Sequence, residues 1–172
     1  MTFEFQKAYG GTITEEGKSV QQTADGGYVI TGYTQSFGAG DNDVYLLKTN
    51  STGDILWTKT YGGQSDDEGY SVQQTNDGGY IITGETYSFG AGNSDVYLIK
   101  TDSTGDTLWT KTYGGISGEH SYSVQQTNDG GYVITGNTGS FGGLVDVYLI
   151  KTSSTGDSIW TKTYGGGIDA EN

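Results

Sequence analysis

The stretch Asp95–Gly115, DVYLIKTDSTGDTLWTKTYGG, occurs three times in this 172-residue chain. The other copies are Asp43–Gly63, DVYLLKTNSTGDILWTKTYGG, and Asp146–Gly166, DVYLIKTSSTGDSIWTKTYGG. A repeat this regular constrains the fold before any other property does. Each copy must form the same unit, and successive units must meet through the same surfaces. Tyr9, Tyr61 and Tyr113 each precede Gly-Gly and stand 52 residues apart, and Tyr164 follows at 51. Gly-Gly-Tyr recurs at Tyr28, Tyr80 and Tyr132, and Ser-Phe-Gly at Phe37, Phe89 and Phe141. The one missing residue falls between Phe141 and Asp146, inside FGGLVDV, so a loop is shortened and no strand is broken.

Each repeat reads as four strands. In the middle copy, Tyr70–Thr75 is strand a, Tyr80–Thr86 strand b, Asp95–Thr101 strand c and Asp106–Tyr113 strand d. Asn76-Asp77-Gly78-Gly79 joins a to b, because Asp-Gly supplies the positive φ that a tight hairpin needs. Asp102-Ser103-Thr104-Gly105 joins c to d, and a Gly-rich loop joins b to c. With connections this short, neighbouring strands pair antiparallel as a meander. No segment carries a helical period. On strand c, Val96 and Leu98 point one way while Tyr97 and Ile99 point the other; on strand b, Tyr80 and Ile82 oppose Ile81. Both faces are apolar, so such sheets are expected to be covered on both sides. A two-layer sandwich would leave one face of most strands polar. The fold expected is therefore all-β, built of β-propeller blades, one four-stranded antiparallel meander per repeat. A β-trefoil is the rival, with a shorter repeat and stricter alternation.

The units are expected at 12–63, 64–115 and 116–166. Residues 1–11 match strand d, with Phe5 where the Trp stands elsewhere, and are read as an extra outer strand. The tail 167–172 matches the linker that precedes strand a. The organisation looks like an excerpt from a longer array, or a unit completed by another copy. Three blades cannot close a ring, since closed propellers need about four to eight. Self-association is thus expected, with two chains making six blades as the simplest closed form.

STGDTLWTKTYGG following DVYLIKTD is similar to the repeat of quinoprotein-like propellers, in which a Thr-Gly turn precedes a Trp-bearing strand. The full unit, YGGQSDDEGYSVQQTNDGGYIITGETYSFG, resembles more closely the short β-propeller repeats of bacterial and archaeal secreted or surface proteins. The resemblance implies the fold over nearly the whole chain and suggests a cell-surface or extracellular place. It implies little about activity, because one fold hosts many functions.

Composition narrows the partners. Thirty-one glycines would suit a flexible linker, but 14 Tyr, 3 Trp and 5 Phe would not. With no Cys, neither a disulfide framework nor a thiolate metal site is available, and the compartment is not legible from redox chemistry. The residues MTFEFQKAYGG have neither the basic start nor the apolar stretch of a signal peptide. No apolar run approaches the roughly 20 residues that span a bilayer. A net charge of −13 argues against nucleic acid and against anionic lipid, both of which need clustered Lys or Arg.

Few residues suggest chemistry. Asp66-Asp67-Glu68 offers oxygen ligands of the kind Ca²⁺ takes, but its counterparts, Thr14-Glu15-Glu16 and Gly118-Glu119-His120, do not keep a carboxylate register. A solvated acidic loop is the simpler account. Asp25, Asp77 and Asp129 are explained by their turns. His120 is the sole histidine; Glu119 is adjacent but should diverge from it along an extended chain, and the other repeats carry Glu16 and Glu68 there. Trp57, Trp109 and Trp160, with Tyr45, Tyr97 and Tyr148, fit packing between blades better than sugar-stacking platforms. Lys48, Lys100 and Lys151 are expected to cover a blade edge with their stems and keep wet heads. Tyr33, Tyr87 and Gly139 are taken as one loop-tip position. No quinone or nucleotide cofactor is expected: the Gly-Gly pairs lie in β-turns, not in a strand-to-helix phosphate loop. The expectation is a non-enzymatic interaction module. A carbohydrate- or ligand-binding surface domain and a hydrolase with a central-channel site are the alternatives.

Overall fold

The computed structural model describes residues 6–141 and 144–165. It is all-β: twelve strands form three four-stranded antiparallel sheets, with no helix among the described residues. The first sheet holds β1 (Glu15–Gln22), β2 (Tyr28–Thr34), β3 (Asp43–Thr49) and β4 (Ile55–Tyr61). The second holds β5 (Asp67–Gln74), β6 (Tyr80–Thr86), β7 (Asp95–Thr101) and β8 (Thr107–Tyr113). The third holds β9 (Glu119–Gln126), β10 (Tyr132–Thr138), β11 (Asp146–Thr152) and β12 (Ser158–Tyr164). Each sheet is a meander in chain order.

Strands b and c of the middle repeat lie where the alternation places them. Strand a begins earlier than expected, at Asp67, because a β-bulge between Gly69 and Ser71 lets pairing continue to Asp67 opposite Thr86. The same bulge occurs at Gly17/Ser19 in β1 and opposite Thr135/Gly136 in β9. Its sequence signal is hidden, since Asp, Glu and Gly are poor strand formers. Residues 6–11, where an outer strand is expected, carry no strand assignment. Residues 1–5, including Phe5, and the tail from 166 onward lie outside the described residues.

Two apolar layers hold the sheets together. Val29, Val44, Leu46 and Tyr61 of the first sheet meet Val72, Tyr80, Ile82, Tyr97 and Ile99 of the second. Ile81, Val96 and Leu98, on the opposite face of the second sheet, meet Val124, Tyr132, Ile134, Tyr148 and Ile150 of the third. The second sheet is therefore dry on both sides, as its two-faced apolar pattern requires. The three sheets come together along their first strands, β1 against β5 and β5 against β9.

Candidate functional site

The two internal junctions are built from one set of contacts. Trp57 meets Tyr80 edge-on at 5.7 Å between ring centroids, and Trp109 meets Tyr132 in the same way at 5.9 Å. The Tyr61 hydroxyl donates to the carbonyl of Gly105 at 2.7 Å, and that of Tyr113 to the carbonyl of Gly156 at 2.5 Å. Lys59 pairs with Asp106, and Lys111 with Asp157. Along the first strands, the amide of Gln74 donates to the Gln21 side-chain oxygen, and the amide of Gln126 to that of Gln73. A close approach completes the fit. A Cβ on Gly69 would lie 2.5 Å from the Thr31 hydroxyl and 3.0 Å from a Val44 methyl of the first sheet, and at the second junction the matching residue is Ser121, buried with its hydroxyl against Thr83 and the Gly84 carbonyl.

Several of these contacts have an unmatched half at the ends of the stack. On the front face of the first sheet, Val20 is 64% exposed, whereas its counterpart Val72 is 6% exposed. Tyr28 is exposed, while Tyr80 and Tyr132 are buried under tryptophans. A Cβ on Gly17 would meet only Ile30 of its own sheet, so the space that Thr31 and Val44 fill at Gly69 is open. On the back face of the third sheet, Val147 is 50% exposed against 1% for Val96. Trp160 and Tyr164 are exposed as well, and the Lys162 ammonium lies over the Trp160 ring at 5.5 Å. By contrast, Leu56, Leu108 and Ile159 are all exposed to the same degree, as are Phe37, Phe89 and Phe141. Those belong to the solvent side of every repeat; the others belong to the ends.

The segment 6–11 partly covers the front face. The Tyr9 hydroxyl donates to the Gly53 carbonyl at 2.7 Å, and Lys7 pairs with Asp54 while also reaching the Thr52 carbonyl at 3.1 Å. These are the contacts that Tyr61 and Lys59 make with Gly105 and Asp106. Beneath Tyr9 a hollow of about 90 Å³ remains against Ile30, Tyr45 and Leu47.

A second feature lies between the second and third sheets. The bulge gives each first strand one extra, outward-turned residue: Lys18, Tyr70 and Tyr122. In the first sheet, Lys18 bonds Glu16 at 2.7 Å and lies over the rings of Tyr33 and Tyr70. In the second, Glu68 stands directly across from Glu85, and the Tyr70 hydroxyl bridges them at 2.8 and 2.6 Å. One hydroxyl proton serves two carboxylates. Burial and then these two carboxylates hold the Tyr70 phenol far above its ordinary pKa. Nδ1 of His120 contacts the other oxygen of Glu85. A hollow of about 580 Å³ opens here, lined by Tyr70, Glu85, His120, Tyr122 and Asn137. The Asn137 side-chain oxygen is buried there with no hydrogen-bond partner.

Several expectations change. Asp66, Asp67 and Glu68 do not converge. Asp66 accepts from the Asn42 amide, Glu68 from the Asn42 side chain, and Asp67 is buried in its own sheet, accepting from Gly63 N and Ser88 Oγ. Among the described residues no group of three or more His, Cys, Asp or Glu is placed to hold a metal ion. Asp67 is no solvated loop residue, and a register does exist: Glu15, Asp67 and Glu119 each accept from the glycine amide four residues back. Shared hydrogen bonding reconciles Asp with Glu there, a signal the difference in side-chain length conceals. Glu119 turns away from His120, as the extended chain predicts. Lys48, Lys100 and Lys151 do not keep wet heads. Their ammonium groups pair with Asp25, Asp77 and Asp129 and donate to the carbonyls of Thr49, Thr101 and Thr152. Tyr33 is a strand residue across from Glu16; the residue matching Tyr87 and Gly139 is Gln35, since each bonds the preceding linker through its amide. Tyr45 stacks on Phe37, and Tyr97 and Tyr148 meet Phe89 and Phe141 with tilted rings, each within its own repeat. Tyr97 and Tyr148 also enter the two apolar layers between sheets. The glutamine ladder of VQQT is a junction element that periodicity alone does not mark.

No protein-family profile matches the chain. It is similar to the "Regulatory protein FlaEY" of Caulobacter vibrioides, with 24% identity over 183 residues. The alignment takes in 90% of this chain and 19% of that protein, so the chain spans about a fifth of that relative's length.

Proposed function

We propose that the chain is a non-enzymatic interaction module whose sheets are propeller blades, and that it self-associates head to tail to complete a ring. The observation that carries this is the unmatched pairing at the ends. Trp160 is bare where Trp109 covers a tyrosine, and Tyr28 is bare where Tyr80 is covered by a tryptophan. The back face of one copy offers what the front face of another lacks. Such an interface is heterologous, and it closes if the rotation between sheets allows. Two chains would supply six blades, within the range of closed propellers. The approach of the sheets along their first strands supports a radial arrangement.

Complementary substitutions test the polarity. Val20→Glu spoils only the front face, and Val147→Glu only the back face. Each variant alone is expected to be monomeric. Their equimolar mixture retains one intact front and one intact back, and should recover a two-chain species by light scattering. A mixture that stays monomeric while the wild-type chain assembles would refute the head-to-tail arrangement.

A second reading, a ligand-binding propeller, is favoured by the hollow beside Glu85. The Glu85 carboxylate, two tyrosines and an unpartnered amide oxygen suit a small organic cation. Titration with butylammonium, followed by the NMR signals of His120 and Tyr122, tests it; saturable shifts absent with butanol would support it.

A further inference from the structure

The segment 6–11 repeats, within one chain, the contacts that a neighbouring copy would need. At the internal junctions the pair Tyr61–Gly105 and Lys59–Asp106 recurs as Tyr113–Gly156 and Lys111–Asp157. The next pair in the series has Tyr164 and Lys162 as donors, with Gly53 and Asp54 of a second copy as acceptors. Those acceptors are already engaged by Tyr9 and Lys7. We infer that this segment is a built-in competitor for the docking surface of the first sheet, and that strand β12 of a second copy must displace it.

The inference rests on the proposed head-to-tail association and adds the regulation of that surface. The contest is unequal. The segment supplies the tyrosine and the lysine, but leaves Val20, Tyr28 and the space over Gly17 bare. An incoming third sheet would bring the same two groups and, in addition, Trp160 for Tyr28 and Val147 for the space over Gly17. It would also set Gln125 against the first strand, as Gln21 and Gln73 are set at the internal junctions. Tethering gives the segment a high effective concentration, so it holds the surface when the protein is dilute. The second copy prevails when the protein is concentrated, because it covers more apolar area. The device therefore sets a concentration threshold for assembly without abolishing it. It also protects an apolar face from other partners below that threshold.

Two variants of the full chain test this. Lys7→Ala with Tyr9→Phe removes the polar contacts of these two side chains and keeps the segment; deletion of residues 1–11 removes it entirely. Both should assemble at a concentration at least tenfold lower than the wild-type chain, as measured by sedimentation velocity. Circular dichroism should report an unchanged β spectrum. In the wild-type protein, amide exchange at Gln6–Gly11 should quicken as concentration rises through the assembly range. If the wild-type chain assembles and both variants need the same or a higher concentration, the segment is part of the fold and the inference fails, while head-to-tail association stands. If neither the wild-type chain nor either variant assembles, the association itself fails, and the inference with it.

Discussion

The second and third sheets carry nearly the same sequence and experience different surroundings. Val96 is dry and Val147 is wet; Trp109 lies on a tyrosine, and Trp160 lies open under the ammonium of Lys162. Strand β11 reads DVYLIKT, letter for letter as β7 does, yet β7 is buried at every position and β11 alternates. Burial here belongs to the neighbour and not to the strand. The residues of the back face are kept apolar in a place where, in a single chain, they gain nothing from it.

The comparison can be broken most forcefully in the core. Ile82 is fully buried between the first and second sheets, so Ile82→Ala should cost about 2–5 kcal/mol in denaturant unfolding of the dilute protein. Its counterpart Ile30 is half-buried on the front face, which only the segment 6–11 covers in part, so Ile30→Ala should cost less. Equal losses would mean that the front face is covered in solution. Next in size is the ion pair behind the hairpin turn. Lys100 is buried while its partner Asp77 is largely exposed, so the cost of removal is asymmetric. Asp77→Asn should cost about 1–3 kcal/mol by stranding a buried ammonium. Asp129→Asn in the third sheet should cost less, since Lys151 is better hydrated. Tyr61→Phe should cost about 1 kcal/mol through its lost bond to Gly105. Tyr164→Phe should cost nothing in dilute solution and should weaken assembly when concentrated. The smallest effect is with pH. Burial opposes ionisation of Asp77, but Thr75, Lys100 and the Gly79 amide outweigh it and bring its pKa down to about 2. A depressed folded pKa gives stability that is present above the ordinary aspartate value near 4 and is lost as pH falls towards 2. An acid titration followed by circular dichroism should show a loss in that window, and Asp77→Asn should diminish it.

Much of this was legible in the residues, for identifiable reasons. The all-β class and the four strands per repeat follow from period-two alternation bounded by Asp-Gly and Thr-Gly turns. That both faces of a blade are apolar follows from Tyr80, Ile81 and Ile82 standing in succession; that both are dry only in the second sheet follows from its two neighbours. What stayed hidden was hydrogen bonding between side chains and distant backbone. The alternation of Glu15, Asp67 and Glu119 looked like a broken register because their common acceptor role depends on folded geometry. The Lys48–Asp25 type of pair spans 23 residues and leaves no local pattern. His120 faces Glu85 because the packing of the third sheet on the second, and not adjacency, decides its partner. The role of residues 6–11 was half visible: their match to strand d was clear, whereas their hold on Gly53 and Asp54 required the folded chain.

The central claim is that one chain leaves two apolar faces that fit each other. The direct measurement is the mass of the wild-type protein by light scattering, from low micromolar to its highest soluble concentration. The account predicts a rise from one chain mass of 18.2 kDa to a plateau at twice that value. A mass that stays at one chain throughout would contradict it.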